Sequence, residues 1–385
     1  MTGSLIIFDT HPIQYRAPVF RVLAQKLPGF KVCFFNSQFN GKKWWFQEWN
    51  KIPKQEFGLS LEDGYEHVIL KTEGQSLLKK IQEIRKVIKT EQPQAILVFG
   101  YYQVEHWILR YFSSRYGIPL LFIGETFDWR GHVVRKKLKR HLVQWFFKSV
   151  SGFVSIGKKN ETYYSKWGIP KTKITSGHYC TDPTPFILSA EKAQGIRTKT
   201  RESLGVPENG FVLLFVGRLF QRKRPQDLLE MHRALQNKGK VYTIFVGNGE
   251  MQDWLQEQTQ AVPNAIWVGF KNQKELIDYY YAADLLVVPS EFETWGLVVN
   301  EAFSCELPAL VTNACGVAED LVISKQTGEI YTVGRVEEAV AKLEPLLENP
   351  SLVKEWGKTA RKKILESFNP EQFASSILQA FQKAI

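Results

Sequence analysis

Short apolar runs, many of them β-branched, alternate with amphipathic segments along the whole chain, and few folds accept that rhythm. Runs at 5–8, 31–35, 95–99, 120–123 and 153–156 read as strands, and after a break the pattern resumes at 211–216, 242–246, 266–268, 285–288 and 309–311. Ten or more residues of helical pattern lie between most of them. Strands apolar on both faces and separated by helices make βαβ units and parallel sheets. At 385 residues the chain is too long for one ordinary core and suits two domains of roughly 150–200 residues. The stretch from 181 to 209 breaks the rhythm. It carries Pro183 and Pro185, then charged residues, then Pro207-Glu-Asn-Gly210, and reads as the join between domains. The expected fold class is α/β, with two Rossmann-like domains: 1–182, on which a helix at 370–385 packs back, and 205–369. Ligands of such folds bind at the strands' carboxyl ends.

Composition removes some function classes. No apolar run approaches the ~18 residues that span a bilayer. The start reads as a first strand, lacking the basic opening of a signal peptide. Cys33, Cys180, Cys305 and Cys315 have neither metal-ligand nor redox spacing, and read as buried thiols in a reducing, cytoplasmic setting. The net charge of +11 calls for an acidic partner: nucleic acid, anionic lipid or a phosphorylated substrate. Arg135-Lys-Lys-Leu-Lys-Arg140 precedes Leu142, Val143, Trp145, Phe146 and Phe147, and a basic amphipathic stretch runs over 77–89. Such helices suit an anionic membrane surface at its inner face. Solvated outer faces of ordinary amphipathic helices account for them equally well. No RNA- or DNA-binding module is recognisable, so nucleic acid is not expected as a partner.

The densest chemical signal is Val288-Pro-Ser-Glu-Phe-Glu-Thr-Trp-Gly-Leu-Val-Val-Asn-Glu-Ala302. A strand ends near Pro289 and a helix begins near Gly296, placing Glu293 in the loop and Glu301 on the second helical turn. The helix start offers the amides of Gly296, Leu297 and Val298 to an anion, and Gly296 has no Cβ to block its approach. Two carboxylates beside a phosphate site accept hydrogen bonds from hydroxyls on either side of it, a layout that matches a nucleotide sugar. Val216-Gly-Arg-Leu-Phe-Gln-Arg-Lys-Arg-Pro225 follows another strand, and Arg218 and Lys223 can neutralise a diphosphate and the charge growing on a leaving group. No Asp-x-Asp pair occurs, so no metal is expected and the chain's own cations take that task. Arg222 and Arg224 read as solvated neighbours, and Trp295 reads as either packing or contact. Gly247 and Gly249 form a further glycine turn between strand and helix.

The order Gly217-Arg218, Lys223, Gly247-x-Gly249, then Glu293-x7-Glu301 around Trp295-Gly296-Leu297 resembles the retaining glycosyltransferases of the GT-B fold, in the large family with many bacterial mannosyl- and glucosyltransferases. The likeness continues through Leu307-Pro-Ala-Leu-Val-Thr312, Gly316-Val-Ala-Glu319 and Thr327-Gly328, and covers nearly all of the C-terminal domain. The resemblance implies two Rossmann-like domains facing across a cleft and a nucleoside diphosphate sugar as donor. In it Arg218 and Lys223 hold the diphosphate, Glu293 the sugar hydroxyls and Glu301 the ribose diol. The amides of 296–298 take phosphate oxygens, with Gly249 also on the donor side. It further implies retention of anomeric configuration without an enzymic nucleophile. The basic first-domain helices favour a glycan or lipid-linked acceptor, so the expected function is hexose transfer in cell-surface polysaccharide or glycolipid synthesis, with no cofactor.

Residues 1–180 match less specifically. Asp9-Thr-His-Pro-Ile-Gln-Tyr-Arg-Ala-Pro-Val-Phe20 stands where the family carries a glycine pair, and Phe99-Gly-Tyr-Tyr102 stands where many relatives carry a histidine. His11, Tyr101 and Glu125 (in Gly124-Glu-Thr126) are candidates for the acceptor or sugar side. Helix capping is the competing account for His11 and Glu125. An epimerase or phosphorylase on the same scaffold, and a non-catalytic or nucleic-acid-binding basic protein, are the alternatives.

Overall fold

The computed structural model describes residues 3–37, 61–126 and 133–385, with side chains described from 140 onward in the last span. The first unit, 1–181 with 369–385, holds β1 (Ser4–Asp9), α1 (Ala17–Lys26), β2 (Gly29–Phe34), β3 (His67–Ile69), α2 (Leu77–Glu91) and β4 (Ala95–Phe99). It continues with α3 (Val104–Tyr116), β5 (Leu120–Ile123), α4 (Val133–Lys148), β6 (Gly152–Val154), α5 (Lys158–Lys166) and β7 (Ile174–Thr175). The second unit, 182–368, holds α6 (Ala190–Ser203), β8 (Phe211–Val216), α7 (Pro225–Leu235), β9 (Val241–Val246), α8 (Gln252–Ala261), β10 (Ala265–Trp267) and α9 (Gln273–Ala282). Then come β11 (Leu285–Val288), α10 (Leu297–Ser304), β12 (Ala309–Thr312), α11 (Ala318–Leu321), β13 (Gly328–Tyr331), α12 (Val336–Glu348) and α13 (Pro350–Ser367). The closing helix α14 (Pro370–Ala384) belongs to the first unit, where Phe373 meets Tyr179 with ring centroids 6.0 Å apart.

Both sheets are parallel throughout and share one topology: β3-β2-β1-β4-β5-β6-β7 in the first and β10-β9-β8-β11-β12-β13 in the second. The α/β class and the two Rossmann-like units are borne out. All ten runs read as strands are strands, four with the bounds as read and the others shifted at one or both ends by one or two residues. Three more went unread: β3, β7 and β13. These lie at sheet edges, where two to four residues suffice and one face need not be apolar.

The reversal of strand order lies between β1 and β4 in one sheet and between β8 and β11 in the other. Loops leaving the carboxyl ends of those pairs diverge, and a crevice opens where they part. The first core is aromatic, with Phe122 contacting Phe146, Phe147, Phe153 and Tyr164 at centroid distances of 5.1–6.2 Å. The second is mostly aliphatic, built on Leu213, Leu228, Leu229, Leu310 and Leu343. The four cysteines are buried thiols.

The stretch read as a join contains α6, which clusters with the second unit. Its hold is electrostatic. Arg197 Nη2 and Arg201 Nη2 each reach Asp284 at 2.6 Å, and Arg201 Nε donates to the Ala282 carbonyl at 2.8 Å. Asp284 Oδ2 also accepts from the Val212 amide at 2.8 Å, tying α6 to the start of β8.

Two glycine substitutions of equal chemistry should move stability in opposite directions. Gly195 lies in the exposed part of α6 with open space where a Cβ would stand, so Gly195→Ala should stabilise by about 0.5–1 kcal/mol through helix propensity. Gly357 lies in α13 against the Glu306 carbonyl, where an added Cβ would overlap the oxygen. Gly357→Ala should cost about 1–3 kcal/mol despite the same propensity gain. Urea midpoints of the two variants, measured side by side, check the signs.

Candidate functional site

At the second sheet's reversal point, the loops after β8 and β11 meet through one ion pair. Lys223 closes a short 3-10 turn at Gln221–Lys223, and its Nζ contacts Glu293 Oε2. The loops are also stitched by backbone, with the Glu291 amide donating to the Arg222 carbonyl at 2.8 Å. Glu293 is held from below, since its carbonyl accepts from the Gly316 amide at 2.9 Å. Both side chains of the pair are largely buried, so the contact is far less screened by solvent than a surface pair. Burial, with Arg222 and Arg218 close by, presses the Lys223 ammonium down to about 8, and the touching Glu293 carboxylate works against that fall. Lys223 is a cation at neutral pH either way.

Gly296 caps α10 at φ 110°, in the left-handed region that favours glycine. The amides of Leu297 and Val298 are in the first helical turn, where no intrahelical acceptor exists, and with Gly296 they form the anion-ready end of α10. Trp295 is packing: it is buried, donates Nε1 to Asn300 Oδ1 at 2.9 Å, and lies stacked on Phe368. Arg224 departs from a solvated neighbour, being half-buried with Nε 2.7 Å from Asp227. Arg222 is exposed and donates to the Phe292 carbonyl at 3.3 Å. Arg218 is half-buried, its guanidinium 5.8 Å from the Phe220 ring centroid. Gly249 has a structural reason to be glycine, because an added Cβ would stand 2.6 Å from the Leu219 carbonyl oxygen.

Glu301 is on α10, buried, with both oxygens engaged. Tyr280 Oη donates to Oε2 at 2.7 Å and Gln273 Nε2 to Oε1 at 3.3 Å. Neither donor is charged. Burial therefore dominates and raises the Glu301 carboxyl to about 7, although the two hydrogen bonds pull it down. Sequence reasoning missed Tyr280 and Gln273, which are on α9 and carry no motif.

The remaining candidates lie in the first unit. His11 Nδ1 is 2.8 Å from Thr10 Oγ1, and burial lowers its pKa to about 4, so the ring is neutral at physiological pH. Tyr101 is buried in the aromatic core, 6.2 Å from Phe122 between centroids, and burial pushes its hydroxyl pKa up. Its neighbour Tyr102 is the exposed ring. Glu125 follows β5 and is bound by Arg16 and Tyr179, two further residues that no sequence signal marked.

Residues 196–363, which lie within the second unit, match the family described as glycosyl transferases group 1. The whole chain is similar in fold to Anabaena HepE in complex with UDP, with a TM-score of 0.74 at 18% identity over 98% of this chain and 99% of that one. It is similar to a sucrose-phosphate synthase of Thermosynechococcus elongatus to the same TM-score, at 16% identity over 99% and 98%. The architecture is GT-B. Among curated relatives, an uncharacterized glycosyltransferase of Methanocaldococcus jannaschii is 23% identical over 58% of each chain. A glycogen synthase of Mycobacterium tuberculosis is 30% identical over 45% of this chain and 42% of its own. The chain spans about half the length of the curated relatives it matches.

The Glu301 environment predicts a pH signature. Its folded pKa lies above the ordinary 4.5, so the folded chain binds more protons than the unfolded one between about 4.5 and about 7. Stability from this group is complete below that window and is lost as pH rises through it, on the order of 3 kcal/mol in full. Glu301→Gln should therefore gain stability relative to wild type as pH rises from about 5 to about 8. The difference between the two chains' melting temperatures across that range isolates the group from other titrations.

Proposed function

We propose that this chain transfers a hexose from a nucleoside diphosphate sugar to a glycan or lipid-linked acceptor, with retention of anomeric configuration, in cell-surface polysaccharide or glycolipid synthesis. The observation that carries the reading is the Lys223–Glu293 pair, at the second sheet's reversal point in the loop that leads into α10. In this reading Lys223 and Arg218 close over the diphosphate and stabilise the charge that grows as the glycosidic bond breaks. Lys223 then exchanges its carboxylate partner for phosphate oxygens, which frees Glu293 to accept from sugar hydroxyls. The amides of Gly296, Leu297 and Val298 take phosphate oxygens, with Gly249 at the loop behind them, and Glu301 takes the ribose diol in place of Gln273. These cations occupy the role a metal has elsewhere, so transfer is proposed to need neither metal nor cofactor. A neighbour solved with UDP-glucose supports the class of donor, and a capsular polysaccharide glycosyltransferase of Staphylococcus aureus, 27% identical over 42% of this chain, supports the class of pathway.

We also propose work in the cytoplasm at the membrane's inner face. Among the described residues no helix is long and apolar enough to cross a membrane. Support comes from α2, which exposes Leu77 and Leu78 beside Lys79, with Arg85, Lys86 and Lys89 further along, and from exposed Leu142 and Trp145 on α4. Of the basic run read at 135–140, the side chains of 135–139 lie outside the described residues.

A thermal-shift screen over nucleoside diphosphates and their sugars tests the donor reading, because a ligand of the folded state raises its melting temperature. At least one should shift it; none doing so would sink the proposal. With that donor, Lys223→Ala and Glu301→Ala should each slow transfer by more than about tenfold, since charge-assisted contacts are lost. Turnover like wild type in both variants would relocate the site. Binding to anionic vesicles should weaken as salt rises from about 0.05 to about 0.5 M.

A further inference from the structure

A second polar group occupies the reversal point of the first sheet, wholly within the first unit. Asp9 ends β1, is fully buried, and accepts from Arg16 Nη1 at 2.5 Å. Arg16 is itself buried, with its guanidinium carbon 3.8 Å from the Phe99 ring centroid at the end of β4. Its Nη2 donates to Glu125 Oε1 at 2.5 Å, and Tyr179 Oη donates to the same oxygen at 2.7 Å. Both bonds fall on Oε1. The other oxygen, Oε2, stays outside this clamp, on a side chain 35% exposed. Burial alone would raise the Glu125 carboxyl, but the Arg16 guanidinium and the Tyr179 hydroxyl hold it below its ordinary range. A carboxylate held this way is a weak base and a lasting acceptor of hydrogen bonds.

One residue further on, Thr126 Oγ1 is 3.2 Å from Tyr102 Oη. The Tyr102 ring is 70% exposed and lies 4.9 Å from the Tyr101 ring, which is anchored in the core. An open aromatic ring, within hydrogen-bond distance of the residue that follows a fixed carboxylate, suits one chemistry. A pyranose ring lays its C–H face on the aromatic surface and donates hydroxyl protons to the carboxylate. A phosphate would be repelled by Glu125, and an acyl chain has nothing to donate to it.

We propose that Tyr102 and Glu125 form a saccharide subsite, with Arg16 as the positioning residue that aims the Glu125 carboxylate. As the acceptor end of the transfer described above it rests on that reading; as a sugar-binding site it does not. Among the described residues, the charged and titratable groups around Glu125 are Arg16, Tyr179 and Tyr164, with Asp9 and His11 beyond Arg16.

The test is saturation-transfer NMR on the full chain with free glucose, galactose, mannose and N-acetylglucosamine at tens of millimolar. Nucleoside diphosphate thermal shifts are recorded on the same samples. At least one sugar should bind the wild type with a flat profile between about pH 5.5 and about pH 8, because Glu125 stays ionised throughout. Tyr102→Ala, an exposed substitution, and Glu125→Gln should each weaken binding at least fivefold. Arg16→Gln should weaken it and make it fall toward acid pH, while Arg16→Lys restores part of the binding and the flat profile. Tyr179→Phe, which removes one of the two Oε1 bonds, should shift the profile the same way and serves if Arg16→Gln does not fold. The proposal is overturned if no sugar binds the wild type, if Tyr102→Ala and Glu125→Gln bind normally, or if both clamp variants keep a flat profile. Sugar binding without any nucleoside diphosphate shift would support this subsite and remove only the donor reading.

Discussion

A fully parallel sheet sends every strand's carboxyl end to one edge, and reversing the strand order at one place parts the loops that leave it. The two sheets of this chain have that reversal at β1/β4 and β8/β11, and each reversal carries a concentrated set of charges. At β8/β11 the parted loops are rejoined by Lys223 and Glu293. A largely buried ion pair of this kind adds little net stability, since desolvating two charges offsets most of their attraction. Its consequence is chemical: a cation and a carboxylate are held together, each able to leave the other for a ligand of opposite charge or for hydroxyls.

The same physics treats two glutamates in opposite ways. Among the described residues Glu301 has only Tyr280 and Gln273 as side-chain donors, so burial wins and its carboxyl moves up to about 7. Glu125 is bound by a guanidinium, so attraction outweighs burial and its carboxyl moves down. One is near a protonation boundary and the other is a permanent anion. The difference comes from the partner's charge, and Glu125 is also the more exposed of the two.

Stability is arranged around these sites without using them. The aromatic core under β4 and β5 holds Tyr101 in place and leaves Tyr102 at the surface. On the other unit, Asp284 gathers two arginines of α6 and an amide of β8, so a charged segment becomes part of a domain. Trp295 packs on Phe368 and bonds Asn300, bracing the entry to α10 from behind.

By itself the sequence determined the α/β class, the ten principal strands, the loops carrying Arg218, Lys223 and Glu293, and the helix start that carries Glu301, because periodicity and turn residues act over a few positions along the chain. It left β3, β7 and β13 unread, since edge strands answer to a neighbour and need little pattern of their own. Only tertiary structure decided that Arg16 would meet Glu125 across 109 positions, that Tyr280 would reach Glu301, and that Tyr101 would turn inward while Tyr102 faced solvent. Those pairings are set by strand order and packing, which bring together residues with no shared signal in the chain. Their pKa shifts follow from burial and from the charge of the partner met there, properties that no residue has until the fold surrounds it.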